Sequence, residues 1–482
     1  MSQTVLESIR QVPEVDGPIP VTATSHPFCS MAHAKQPLDL AAAGYTEEEY
    51  FISGTANVYE GQSELAVKYR EQPYTTRIMV RKPAAEKFSG RVYIDIYNAS
   101  NGYDIEDVWR RSYEYYMAGG HVYVGVTAKP INVVSLKKFD PERYASLRWD
   151  GQKPAPLPKK VNPLKSIKGM EEGLVWDILS QLGYMVKGNR ASFLADYDVT
   201  ELYLTGQSQS GVYLNTYAYF FHRYVRDIYD GFLTVVGAGR MRDLRQNERL
   251  ITLAGIRDQL IADSEVPFIL VSAHGDINLF RSKLEILREL GADRSKIRHY
   301  EMASAPHTDP TSPLIPDNRE VEKTGNRPRL LDGDYDFEVN SIKLAYYVNA
   351  ALEHLHEWAV NGVEPPASLL IERDDDGDPL SDEHGNGVGG LRSPYVDVPI
   401  ATYRPNEETK LSKIGFELGV NGSMEYFDGP TLAKLYASKD DYLTRFAAAV
   451  DQQVADGWLL PADAQRMVDW SRQVADELDF PA

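Results

Sequence analysis

Ser208 stands in a stretch whose residue types suit a nucleophile. Residues 201–205 read as a short strand, Gly206-Gln207-Ser208-Gln209-Ser210 crowds small residues together, and residues 212–221 continue as an apolar segment of helix length. At such a strand–turn–helix junction, small neighbours let a strained serine push its hydroxyl outward. The usual pattern has glycine where Ser210 stands, and a Gly/Ser-rich connecting turn is the alternative interpretation.

A serine hydroxyl becomes a good nucleophile when an imidazole takes its proton and a carboxylate orients that imidazole. Asp276 follows a predicted strand at 266–272, and His307 follows the next one at 296–302. Both candidates therefore come just after strand ends, in the chain order Ser, Asp, His. The spacing predicts Ser208 as nucleophile, His307 as general base and Asp276 as the orienting acid.

Other acids and histidines compete for these roles. Glu265 and Asp309 are the rival acids, but Glu265 precedes its strand and Asp309 lies beside the candidate histidine. The remaining histidines near these strands, His274 and His299, and the more distant His354 are interpreted as core or surface residues. His307 differs from them because it lies in the loop after the last predicted strand.

Stabilising a developing oxyanion needs backbone N–H groups. One should come from Gln209, at the start of the helix, where free amides and the helix dipole favour negative charge. The second is expected from the small-residue loop 98–102, which follows a predicted strand at 91–97, with Ala99 or Ser100 as its donor. An ordinary Asn/Gly turn that leads into a helix is the alternative for this loop.

Alternating strands and helices must position these groups. Strands are predicted at 51–59, 65–69, 75–81, 91–97, 121–128, 230–236, 266–272 and 296–302, and helices at 107–117, 171–186 and 282–290, with Gly54, Gly61, Pro83 and Gly90 as turn residues. This order predicts an α/β fold with a mostly parallel central sheet flanked by helices, whose catalytic groups lie at the carboxyl ends of the strands.

The chain divides into an N-terminal arm at 1–49, a core at 50–360 and a C-terminal extension at 361–482. Residues 147–170, rich in lysine and proline, interrupt the core as an insertion. We expect this insertion to form a stiff wall or lid over the site, the alternative being an exposed loop far from it. Helices are predicted at 335–358, 431–436, 442–454 and 462–478.

The amino-acid composition limits the classes of function that the chain can have. An apolar fraction of 43% over 482 residues allows a large core, and a net charge of −19 argues against nucleic-acid or anionic-membrane partners. A single cysteine, Cys29, excludes an intrachain disulfide and a cysteine-rich metal site. With no leader pattern at 1–17 and no long apolar run, a soluble cytoplasmic protein is expected.

Several segments resemble the large α/β-hydrolase-domain family whose nucleophile elbow reads G-x-S-Q-S-G. They are residues 94–104, 120–130, 173–183, 204–211, 298–310 and 384–403. The resemblance implies an α/β-hydrolase core with serine-hydrolase chemistry, in which Ser208 and His307 match the motif serine and histidine and Asp276 matches the acid. Within this family Ser210 is not a departure. No substrate follows from it.

Two C-terminal motifs suggest other chemistry. Residues 372–383 nearly match a calcium-binding loop, but Glu372 takes the first ligand position and Pro379 falls where the loop needs an N–H donor. Residues 385–390 are glycine-rich like a dinucleotide loop, although no strand leads into them. The alternative is a glycine-rich loop that returns towards the site, with Arg392 as a contact.

These observations predict a serine hydrolase that cleaves small carboxylic esters through an acyl-enzyme, with no metal and no cofactor. An acyltransferase or amidase would use the same triad, and a lyase or haloperoxidase could use the same core. From another class, a binding protein could keep the fold after losing the triad geometry.

Overall fold

The computed structural model describes residues 2–61, 64–153, 155–159, 166–237, 240–245, 250–252, 264–280, 296–309, 312, 314–329, 337–406 and 420–481. The chain forms two compact units, residues 1–268 with 312–329 and residues 269–311 with 330–482. The domain boundaries drawn from the sequence stay predictions.

A twisted sheet of strands β1 to β8 forms the centre of the first unit, in the order β1-β2-β3-β5-β4-β7-β8 with β6 beside β3. The strands are β1 (Glu14–Asp16), β2 (Tyr45–Glu60), β3 (Ala66–Pro83), β4 (Arg91–Ile96), β5 (Val122–Val126), β6 (Arg148–Trp149), β7 (Glu201–Gln207) and β8 (Gly231–Val235). Strand β4 pairs in parallel with β5 and β7, and β7 with β8. The predicted α/β class and parallel central sheet are confirmed.

Helices flank this sheet. They are α1 (Gln3–Ile9), α2 (Asp107–Gly119), α3 (Pro130–Phe139), α4 (Val175–Lys187), α5 (Gln209–Val225) and the short helix Asn318–Lys323, with a two-stranded ribbon of β9 (Arg240–Arg242) and β10 (Leu250–Thr252). As predicted, α2 ends at a glycine, because Gly120 takes a left-handed φ of 66°. No helix in the described part of the chain is long and apolar enough to span a membrane.

Two predicted strands, at 65–69 and 75–81, are one continuous strand in the structure. Strand β3 pairs in antiparallel fashion along almost the whole of β2, and this long partner carries β3 through Pro73. Gly54 was also predicted wrongly as a turn residue. It lies inside β2 opposite Tyr74, where a Cβ would come within 3.2 Å of the tyrosine hydroxyl.

Strands β11 (Phe268–Ala273) and β12 (Ile297–Met302) are neighbours, and β11 starts at the boundary of the second unit. This unit adds α6 (His274–Phe280), α7 (Leu344–His356), α8 (Pro394–Asp397), α9 (Gly429–Leu435), α10 (Lys439–Ala455), α11 (Pro461–Ala475) and the antiparallel pair β13 (Ala401–Arg404) and β14 (Ser423–Tyr426). The predicted helix at 282–290 lies outside the described residues.

The C-terminal helices are confirmed with shifted ends, and the one predicted at 335–358 begins only at Leu344. Its last turn, Glu357–Asn361, is a π-helix that ends at Gly362 with a left-handed φ of 69°. Residues 372–383, compared above with a calcium loop, form isolated bridges instead, Arg373 to Pro379 and Ser381 to Gly387.

Arg77 is fully buried on β3, where its guanidinium meets two carboxylates. Its Nε donates to Glu49, its Nη1 donates to Asp104 Oδ2 at 3.0 Å, and its Nη2 donates to the carbonyl of Phe28. Asp104 also accepts from the Thr127 hydroxyl at 2.6 Å. Charge-assisted bonds of this kind keep buried ions satisfied, so the N-terminal arm, β2 and the loop after β4 are tied to one side chain.

Four residues further along β3, and hence on the same face, Arg81 repeats the arrangement. It donates to Glu47 at 2.8 Å, to both oxygens of Glu106 at 2.6 and 3.0 Å, and to the carbonyl of Cys29 at 3.2 Å. Burial raises the pKa of Glu106, although the charge of Arg81 works in the opposite direction. The second arginine therefore holds the end of the same loop, just before α2.

Replacing Arg81 with methionine should leave Glu47 and Glu106 without their buried counter-ion. We expect Arg81→Met to lower the free energy of unfolding by about 3–5 kcal/mol in urea denaturation. Arg148→Met is the matched control, because Arg148 pairs with Asp150 where both side chains are about half exposed, and we expect a loss below about 1 kcal/mol. Equal losses in the two variants would contradict the role given to the buried network.

Candidate active site

Ser208 lies at the turn between β7 and α5. Its φ of 55° and ψ of −118° are unusual for a residue with a side chain. The Ser208 N–H donates to the Val235 carbonyl at the end of β8, at 2.8 Å. A Cβ on Gly206 would lie 2.6 Å from the Ser210 carbonyl oxygen, so only glycine fits there. Ser208 therefore lies at a strained junction between a strand and a helix, and its role as nucleophile stays a prediction.

Ser210, which stands where glycine is more usual, closes this turn on itself. Its hydroxyl donates to the Gln207 carbonyl at 2.8 Å and accepts from the Gln207 N–H at 3.0 Å. The Gln207 side chain in turn accepts from Arg111 Nε at 2.8 Å. Serine at position 210 thus satisfies backbone groups that a glycine would leave to water.

Asp276 and His307 meet in the second unit. Asp276 lies in the first turn of α6, directly after β11, and His307 lies in the loop after β12. His307 Nδ1 is 2.5 Å from Asp276 Oδ1, and the other carboxylate oxygen accepts from the Ala273 N–H at 2.9 Å. Because the carboxylate can only accept, Nδ1 carries the proton, and Nε2 is the basic nitrogen of the ring. Both side chains are buried.

The loop that carries His307 is fixed by Ser304, which has a φ of 59°. The Ser304 hydroxyl accepts from the Gly387 N–H at 2.8 Å, its carbonyl accepts from Asn340 Nδ2 at 2.9 Å, and its own N–H donates to His274 Nδ1 at 3.2 Å. Burial lowers the pKa of His274 to about 4, so this imidazole stays a neutral acceptor near neutral pH. None of these supporting contacts had a signal in the sequence.

The glycine-rich loop 385–390 therefore supports the loop that carries His307. Arg392 donates to the carbonyl of Gly387 and forms ion pairs with Asp397 at 2.7 Å and Asp382 at 3.3 Å. A Cβ on Gly387 would lie 2.9 Å from His274 Nδ1, which accounts for the glycine. Arg392 thus holds this loop in place.

The two rival acids have other partners. Glu265 lies at the surface and pairs with Arg226 at 2.8 Å, both side chains being about half exposed. Asp309 pairs with Lys343 at 3.5 Å.

The loop after β4 carries both candidates for the second oxyanion donor, Ala99 and Ser100, near the turn. The Ala99 N–H donates to Gln209 Oε1 at 3.1 Å, and the Ser100 N–H donates to Asn98 Oδ1 at 2.6 Å. Asn98 Nδ2 in turn donates to the Gln207 carbonyl at 3.0 Å. The first unit thus brings Ser208, Gln209 and Ser100 into one connected region.

The end of the insertion packs close to this loop. Ile167 lies in a buried apolar cluster with Ala99, Ile131 and Val134, and the half-buried Met170 packs against it. The insertion is anchored by a β-bridge from Asp150 to Met170. That residues 147–170 form a wall over the site stays a prediction.

The sequence matches the model of the alpha/beta hydrolase domain family over residues 15–469. No curated protein matches it. Among solved structures, a fungal esterase from Rhizomucor miehei is 11% identical, with a TM-score of 0.33 over 68% of this chain and 92% of that one. Esterase Est22 is 11% identical, with a TM-score of 0.30 over 59% and 76%. A dienelactone hydrolase from Anabaena variabilis ATCC 29413 is 10% identical, with a TM-score of 0.27 over 56% and 91%.

The two hydrogen bonds of Ser210 are expected to stabilise the turn. Ser210→Ala removes both and deprives the buried Gln207 N–H of this acceptor, while Asn98 still donates to the Gln207 carbonyl, so we expect a loss of about 1–3 kcal/mol in the free energy of unfolding. Ser192→Ala, at an exposed position, is the matched control and should change it by less than about 0.5 kcal/mol. Unfolding curves that coincide for the two variants would show that the turn does not depend on the two hydrogen bonds of Ser210.

Proposed function

The chain belongs to the alpha/beta hydrolase domain family, and from this premise we propose that it is a serine hydrolase that cleaves carboxylic esters through an acyl-enzyme. The observation that carries the proposal is the strained backbone of Ser208 at the β7–α5 turn. A strained backbone conformation persists where the surrounding structure enforces it. In this family such a conformation serves to present a nucleophile.

In the proposed reaction, Ser208 Oγ attacks the acyl carbon of the ester while its proton passes to His307 Nε2. The Asp276 carboxylate, hydrogen-bonded to Nδ1, keeps the imidazole in the tautomer that can accept this proton and stabilises the imidazolium. The tetrahedral intermediate collapses when the alcohol leaves with the proton from His307. Water, activated by the same imidazole, then attacks the acyl-enzyme, releases the acid and restores Ser208.

The oxyanion would be held by the Gln209 N–H at the start of α5, where the helix dipole adds to the donor. We propose Ser100 as the second donor, with Ala99 as the alternative. Each of these amides donates to a side-chain amide oxygen in the structure, of Asn98 and of Gln209 respectively. The substrate oxyanion would replace that oxygen as acceptor, an exchange that costs little because one hydrogen bond replaces another.

Removing the nucleophile tests the proposal. Ser208→Ala should lower kcat on p-nitrophenyl acetate by about 10⁴- to 10⁶-fold, because no other hydroxyl would take its place. Urea denaturation should show an unchanged fold, and Ser192→Ala serves as the control with wild-type kinetics. A purified Ser208→Ala protein that keeps a tenth of the wild-type rate would exclude the assignment.

The choice of acid is tested by two matched amide substitutions. Asp276→Asn should lower kcat by about 10⁴-fold, since an amide at this place favours the wrong imidazole tautomer. Glu265→Gln, at the exposed ion pair with Arg226, should stay within about twofold of wild type. If instead Glu265→Gln carries the loss and Asp276→Asn is nearly silent, Asp276 is not the orienting acid.

A further inference from the structure

Lys129 and Glu172 form a buried pair that the proposed mechanism does not use. Lys129 follows β5 and precedes α3, and Glu172 starts the short 3-10 helix Glu172–Leu174 that leads into α4. Their side chains are only 2% and 3% exposed, yet Nζ and Oε2 are 3.9 Å apart. That distance is too long for a direct hydrogen bond.

The carboxylate of Glu172 is incompletely satisfied. Both of its oxygens are buried, and neither has a hydrogen-bond partner within the described ranges of the chain. A buried acceptor without a hydrogen bond destabilises the folded state, and the free-energy cost is larger when the acceptor is charged. Because folded proteins rarely tolerate this, we expect a group that donates hydrogen bonds to fill the place.

Among the residues that the structure describes, the charges around the pair balance. Lys129, Arg242 and Arg245 carry three positive charges, and Glu171, Glu172 and Asp243 carry three negative ones. Burial lowers the pKa of Lys129 to about 8 and raises the pKa of Glu172, so desolvation already works against the charges of the pair. An ionic ligand would upset this balance, whereas a neutral group that both donates and accepts would not.

The pair lies beside the region assigned to catalysis in the first unit. Strands β4, β5 and β7 are parallel, so Lys129 follows the same sheet edge as Ser208. Lys129 Nζ is 5.4 Å from the ring centre of Tyr213, on the helix that Ser208 caps. Met170, two residues before Glu172, packs on the apolar cluster that contains Ala99. The chain therefore leads from this buried apolar cluster to the polar pair within two residues.

We propose that Lys129 and Glu172 form a subsite for a hydroxyl group of the ester substrate. An oxygen about 2.8 Å from both groups would accept from Nζ and donate to Oε2, and the free Oε1 would accept from an adjacent hydroxyl. The inference rests on the proposed ester hydrolysis and adds that the substrate is a hydroxylated ester. Permanent occupation by a water molecule is the competing explanation.

Binding can be measured without turnover in the Ser208→Ala protein. The probes are propyl butyrate, its alcohol-side analogue 2,3-dihydroxypropyl butyrate and its acyl-side analogue propyl 3-hydroxybutyrate, titrated by calorimetry. We expect at least one hydroxylated ester to bind about tenfold or more tightly than propyl butyrate. Propyl butyrate lacks the hydroxyl group, so it would leave the buried polar groups of the subsite unpaired. In Ser208→Ala with Lys129→Met and Glu172→Leu, this preference should fall to about twofold or less.

The double change replaces a buried ion pair with apolar side chains, which proteins tolerate better than the loss of one partner, and urea denaturation verifies the fold. Lys138→Met, on the helix α3 that follows Lys129, removes a lysine charge outside the pair; it is the control and should keep the preference. Affinities within tenfold for all three probes, or a preference that survives the double change, would overturn the subsite. Ester turnover by the protein with Ser208 intact is measured separately, so a failure of the proposed function is recognised independently.

Discussion

Burial of Arg77 and Arg81 on one face of β3 is the constraint on which the first unit depends. Each guanidinium joins a carboxylate of β2 to a carboxylate of the loop after β4, Asp104 or Glu106, and both also bind carbonyls of the N-terminal arm. Ions this deep are stable only when every partner is present. The loop that offers Ala99 and Ser100 therefore has little freedom, and the hairpin of β2 and β3 helps to position the candidate oxyanion donors.

The turn at Ser208 is also held by hydrogen bonds to buried groups. A positive φ at a serine is unfavourable by itself, and the structure offsets it with the bond from Ser208 to Val235 and the paired bonds of Ser210. In the second unit, Ser304 also has a positive φ, and hydrogen bonds from Asn340 and Gly387 hold it near His307 in the chain. Two of the strained backbone positions of the described chain thus lie at or beside the groups that would exchange a proton.

Much of the fold could be predicted from the sequence, because buried strands read as short apolar runs. Asp276 and His307 could be selected as candidates because they follow two such runs. Helix α3 was missed, since every residue from Pro130 to Leu136 is buried and no polar face marks a period. Strand β3 was divided at a proline that only its long partner explains. The contact between Ser304 and Gly387 joins residues 83 positions apart, and the approach of Lys129 to Glu172 is equally non-local, so no local pattern could indicate either.

The most direct test of the account is covalent labelling with a fluorophosphonate, followed by peptide mapping with mass spectrometry. A serine becomes reactive towards this reagent only when a base and oxyanion donors act on it together. The account predicts one phosphonyl group per chain, located on Ser208, and loss of labelling in a folded His307→Ala variant. An unlabelled protein, an adduct on another residue, or equally fast labelling without His307 would contradict it.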